Sequence, residues 1–275
     1  MLTETFQSIT VAARTVFRNW QSMLLITIVY ASLLAVLYFF VIVREATFVQ
    51  VSLTFASAIV APLLFFVLQA MIASEADEVT ATSLLKRSLA SFWKLILISL
   101  PLIALAVLIA YLLGKAQAHF DANVRVAAAA LPRRVVATAN AREAATPIDW
   151  KAAMLSTIRY LAFGLALPLI AIHLWLATVR EGLRPGIIKL GQHLSRAFAP
   201  QSVLIYVAGF LIFGLVPYYL LFRTTQTTHA WLEVSLLVVR LLVVFALTLF
   251  GWVITVLALG QSFTNPVTDR ADEAA

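Results

Sequence analysis

The sequence predicts an all-α membrane protein: a polytopic bundle of six transmembrane helices, with short basic amphipathic helices at the membrane interface. Three observations predict it. Of 275 residues, 62% are hydrophobic and 12% charged, more apolar side chain than a water-soluble core of this size can enclose. Six runs approach the roughly 20 residues that a helix needs to cross about 30 Å of hydrocarbon, near 23–43, 51–73, 95–113, 157–180, 201–221 and 236–259. These runs do not alternate as barrel strands do; LPLIALAVLIAYLL at 100–113 is apolar on every face, so its backbone must be satisfied within a helix.

The elements follow in order. In TETFQSITVAARTVFRNW, Phe6, Ile9, Ala13, Phe17 and Trp20 recur at helical spacing, with Arg14 and Arg18 away from them. The first hairpin, 23–73, carries Pro62 in its second helix. Next comes LLKRSLASFWKLILI at 84–98, where Leu85, Leu89 and Phe92 share one side and Arg87 and Lys94 another. After the third span, 114–156 reads as an extramembrane insertion of short helices broken at Pro132. Thr146-Pro147-Ile148-Asp149 starts the next helix, and Trp150 marks the interface. The fourth span carries Pro168, which crowds the carbonyl of Gly164 and predicts a kink. IIKLGQHLSRAFAPQSVLI at 187–205 repeats the two-faced pattern, with Ile187, Leu194 and Phe198 opposite Lys189, Gln192 and Arg196. Spans five and six follow, Gly251 interrupts the last, and 261–275 reads as a disordered tail. Residues 1–260 thus form one membrane domain.

Basic segments with an apolar side lie flat in the headgroup region. Here they turn the chain between hairpins and present Arg87, Lys94, Lys189 and Arg196 to anionic headgroups. An offset of 106 positions aligns Pro62 with Pro168, Glu75 with Glu181 and Phe92 with Phe198. The chain then parses as three units, 1–73, 74–180 and 181–259, each an interfacial helix followed by a hairpin. Two readings stay open: parallel internal repeats, or the basic connectors that any multi-span protein needs.

The short loops place Lys and Arg on the side of both termini, which predicts cytoplasmic N- and C-termini in a plasma membrane; the insertion is too long to count strongly. No cleavable leader is expected. Zero cysteines exclude disulfides and thiolate chemistry. The net charge of +7 is spread over short membrane-flanking segments, so nucleic acid is not an expected partner.

The search for chemistry yields little. His119, His173, His193 and His229 have no metal-ligand spacing. No Walker loop, G-x-S-x-G or G-x-G-x-x-G occurs. None of the six runs contains Asp or Glu, which argues against an acidic proton relay. No catalytic residue, cofactor or metal is predicted. The one candidate site lies at the midplane: His173, five residues after Pro168, with Gln69 on the equivalent helix beside Pro62. Its alternative is a neutral histidine bonded to a neighbouring helix.

The layout carried by KRSLASFW and KLGQHLSRAF resembles the membrane domain attached to some bacterial glycerophosphodiester phosphodiesterases, and other six-span bacterial inner-membrane families. The resemblance implies a bacterial inner-membrane location and carries over no catalytic residue. The expected function is non-enzymatic: to organise, regulate or support a membrane-protein partner or the bilayer. The alternative is a carrier or channel component for a small amphiphile or lipid, working through the helices around Pro62 and Pro168. A third reading is an enzyme acting on a membrane lipid. The discriminating feature is a mid-membrane cavity lined by Gln69, Thr54, Ser57, His173, Thr248 and Thr255.

Overall fold

A computed structural model describes residues 2–43, 47–75, 80–129, 150–223 and 229–262. Every element is helical: α1 Leu2–Arg18, α2 Trp20–Ile42, α3 Phe48–Ser74, α4 Ala81–Ala129, α5 Trp150–Leu161, α6 Leu167–Glu181, α7 Leu183–Ile188, α8 Leu190–Ala197, α9 Pro200–Phe210, α10 Val216–Phe222 and α11 Ala230–Ser262. Two π turns, Ala162–Ala166 and Leu211–Leu215, join α5 to α6 and α9 to α10. Among the described residues six helices are long and apolar enough to span a bilayer: Trp20–Ile42, Phe48–Ser74, Ala81–His119, Ala153–Glu181, Pro200–Phe222 and Trp231–Gln261. The chain is a multi-pass membrane protein.

The boundaries have local causes. Thr47 caps α3 by accepting the Gln50 N–H. Gly182 adopts φ 94° between α6 and α7, a backbone that side chains rarely tolerate. Ala199 is extended before Pro200, which opens α9.

The basic segment at 84–98 departs from the expectation of a separate interfacial helix. It belongs to α4, which runs unbroken from Ala81 to Ala129. The offset of 106 explains why: Lys94 stands where the other copy has Pro200, so nothing stops the helix. Nor does the chain break at 114, because KAQAHFDANVRVAAA is rich in good helix formers. Pro132 and Thr146 to Asp149 lie outside the described residues, as do 263–275. The last helix runs to Ser262, into the segment read as tail.

Pro62 sits inside an uninterrupted α3. At Pro168 the structure shows a π turn: the Leu167 N–H reaches back five residues to the Ala162 carbonyl. Pro217 repeats the device, with the Val216 N–H on the Leu211 carbonyl. A proline cannot donate and crowds the carbonyl four residues back; widening the preceding turn by one residue accommodates both defects. Phe-Gly-Leu precedes each of these prolines, at 163–165 and 213–215, and precedes neither Pro62 nor Pro101.

The described residues divide into two compact units, Met1–Ile98 with Leu169–Ala275, and Ser99–Pro168. In the first, the core lies in the C-terminal halves of α3, α6 and α11, where Leu68–Glu75, Ile172–Thr178 and Thr255–Gly260 are buried without a break. Each pair of these helices has its own link. Phe65 and Phe66 meet Trp175 edge to face, Trp252 Nε1 donates to Gln69 Oε1 at 3.1 Å, and Arg180 Nη1 donates to the Gly260 carbonyl at 2.7 Å. Small residues fill the contacts, among them Ala70, Ala73, Ala177 and Ala258, as expected where lipid supplies no hydrophobic drive and close packing holds helices together. In the second unit, none of the described side chains from Leu100 to His119 or from Trp150 to Pro168 is buried.

Candidate functional site

The proposed midplane pair is not a pair. His173 is buried, and its Nδ1 lies 2.8 Å from the Leu169 carbonyl of its own helix. Because a carbonyl only accepts, Nδ1 carries the proton and Nε2 is the acceptor in the neutral ring. Gln69 is also buried, but its amide oxygen takes the Trp252 indole. Three more of the polar groups expected to line a cavity are likewise committed, and Ser57 is buried. Thr54 bonds the Gln50 carbonyl, Thr248 that of Val244, and Thr255 that of Gly251. Arg240 Nη1 donates to the carbonyl of Arg223.

The buried polar groups collect instead where α3 and α6 end. Glu75, the first residue past the second span, is 1% exposed. Its carboxyl faces Asn19 and Ser22 at the start of α2. Contact with Asn19 falls short of a full hydrogen bond, since Glu75 Oε1 and Asn19 Nδ2 both remain without a partner. Burial pushes the carboxyl up from 4.5 to about 7, against the smaller pull of those two neighbours. Ser74 and Thr178 hydroxyls are also buried and unpartnered, with Gly186 lying over Thr178. His193 of α8 is buried too. Burial holds it below its ordinary value, opposed by Glu181 and reinforced by Arg196 and Lys189. His173 lies within electrostatic reach of His193 and Arg196. Among the described residues, no three His, Asp or Glu side chains come together to hold a metal ion.

The amphipathic segments pack on the bundle through a side that the division into apolar and basic faces did not single out. On α4 the buried line is Leu84, Ser88, Ser91, Leu95 and Ile98, at alternating spacings of four and three. Leu85, Leu89 and Phe92 lie about 100° around the helix from it. On α8 the buried residues are His193 and Ala197 and Leu194 is exposed, as are Ile187 at the end of α7 and Phe198 just past α8. On α1 they are Thr5, Ala12 and Val16, while Phe6 and Phe17 are exposed. Each segment therefore has three sides: a side against the bundle that mixes small, polar and apolar residues, a second apolar side that is more exposed, and a basic side. Of the four basic residues assigned to headgroups, Lys189 is exposed but pairs with Glu181 at 3.0 Å, Arg196 is exposed, and Arg87 and Lys94 are half-buried.

A cavity of about 330 Å³ opens between α1, α9 and α11, near the lower end of the roughly 300–1,000 Å³ of ligand sites. Its lining includes Ile9, Ala13 and Phe17 from α1, Ile205 and Gly209 from α9, and Phe250, Gly251 and Thr255 from α11. Thr255 is its one polar side chain, and that hydroxyl is bonded to Gly251. Two glycines set the approach of the walls. A Cβ on Gly209 would lie 2.0 Å from Thr255 Oγ1, and one on Gly251 would lie 2.9 Å from the Phe213 Cβ. Gly251, read as a helix breaker, is thus a packing position in an unbroken helix.

No family model, curated protein or solved structure matches this chain.

The sequence missed Glu75 and His193. Glu75 did carry a signal: it aligns with Glu181 at the offset of 106 and directly follows a span. Its burial comes from the start of α2, more than 50 positions away in the chain, which no local pattern encodes.

Proposed function

We propose that this chain is a non-enzymatic protein of the bacterial inner membrane that organises or supports a protein partner within the bilayer, with both termini and the two basic connections on the cytoplasmic side. The observation that carries this reading is the state of the polar groups within the spans. A carrier needs them turned toward a cavity, whereas Gln69, Thr54, His173, Thr248 and Thr255 each bond a helix backbone or a neighbouring helix. The exposed apolar surface from Leu100 to His119, which includes Ile103, Leu108 and Tyr111, supplies a face for a partner helix in a medium where van der Waals fit drives association. The resemblance of layout to the phosphodiesterase membrane domain accords with this reading and adds no chemistry.

Complementation tests it. In a strain lacking the gene, the level of the dependent membrane protein should fall. Expression of the Gln69→Leu/His173→Leu variant should restore it, and expression of the Ile103→Trp/Tyr111→Ala variant should not. Rescue by the second variant and failure of the first would reverse the assignment in favour of the carrier.

A further inference from the structure

The cavity between α1, α9 and α11 is built for an occupant that the function above does not use. Its floor, Ile205, Gly209, Gly251 and Thr255, is buried, and its rim residues Phe17 and Ile212 are exposed, so it opens sideways into whatever surrounds the bundle. For a multi-pass membrane protein that surrounding is lipid. The α1 wall decides which lipid. Around this helix the packed line Thr5, Ala12 and Val16 comes first, the cavity line Ile9, Ala13 and Phe17 next, and then Arg14 and Arg18, each step roughly 60–120° further on. Both arginines are exposed. They therefore stand at the outer edge of the cavity, with long stems able to reach toward a headgroup plane.

We propose that this cavity holds one acyl chain of an anionic phospholipid, whose headgroup phosphate is taken by Arg14. The apolar lining excludes a polar ligand, because Thr255 has already given its hydroxyl to the Gly251 carbonyl. The basic edge separates this lipid from the bulk solvating lipid, which has no reason to prefer a negative headgroup at one wall. The ring stack of Phe17 on Phe250, with centroids 6.3 Å apart, closes one end, so the chain enters along α9 rather than crossing α11.

The test uses the full-length protein in detergent micelles containing equal phosphatidylglycerol and phosphatidylcholine with identical acyl chains, read by native mass spectrometry. The wild type should retain one phosphatidylglycerol in preference to phosphatidylcholine. Arg14→Gln should lower that preference about fivefold, the factor that one charge near an anionic surface supplies, and leave phosphatidylcholine retention unchanged. Ala13→Phe, which fills the cavity from its outer wall, should lower retention of both lipids. If that variant elutes as misfolded protein, Ala246→Leu fills the same cavity from α11 and decides the matter. Wild-type retention in a correctly folded cavity-filling variant would overturn the proposal. So would a change in oligomeric state on filling the cavity, which would make the occupant a second copy of this chain.

Discussion

Replacing Glu75 with glutamine probes the least compensated group in the bundle. The folded carboxyl titrates near 7 against an ordinary 4.5 because it is buried, with Asn19 and Ser22 offering only partial compensation. Between those two values the folded state keeps a proton that the unfolded state has released, so stability falls as pH rises through the window and levels off above about 7. For one such group the loss from pH 5 to pH 8 is about 2.5 kcal/mol. Glu75→Gln keeps the shape and cannot ionise, so its stability should not show that loss. Buried His193 acts in the opposite sense below its ordinary 6.5, equally in both proteins, so the difference between the two curves isolates Glu75. Tryptophan fluorescence during thermal unfolding in detergent, from pH 5 to pH 8, reads that difference. The curves should nearly meet at pH 5 and separate toward pH 8, with the glutamine variant the more stable. Parallel curves would refute the claim that Glu75 is enclosed.

Three further outcomes follow from the geometry. Gly209→Ala should destabilise the protein by about 1–3 kcal/mol through overpacking against Thr255, and adding Thr255→Ala should recover part of the loss in the same unfolding assay. His173→Leu should lower stability by about 1 kcal/mol, the net worth of one intramolecular hydrogen bond, with no effect on lipid retention, because the ring bonds its own helix at Leu169. A periplasm-only reporter fused after Lys86 should be silent; its activity would place the basic connections on the other side of the membrane.

What the sequence made legible depended on which physical rule applied. Six spans followed from run length alone, and five were found within about five residues of their expected limits, while the third, expected at 95–113, runs from Ala81 to His119. The sides by which the amphipathic segments pack on the bundle were not legible, because the sequence pattern separates apolar from basic residues and does not mark which apolar residues meet protein and which meet lipid. In lipid, Leu89 loses nothing by facing outward, and the helix packs through Leu84, Ser88, Ser91, Leu95 and Ile98. The proline effects were half legible: Pro168 announced a distortion, but not that it would take the form of a π turn, while α3 passes Pro62 without interruption. The bonding of Gln69 was not readable at all, since Trp252 is 183 positions away. The continuity of α4 turns on one position: Lys94 stands at the place that Pro200 occupies in the later segment, where a new helix begins.

The central claim is that this bundle works through its outer apolar surface rather than through a polar interior. Site-specific photo-crosslinking in living cells tests it most directly, with the reactive residue placed at Leu108 or Tyr111 on the exposed face, at Phe55 on α3 as a control surface, and at Gln69 inside. The account predicts a discrete protein adduct at Leu108 or Tyr111, lipid adducts alone at Phe55, and an intramolecular link at Gln69. Capture of a small amphiphile at Gln69, with lipid alone at Leu108 and Tyr111, would contradict it.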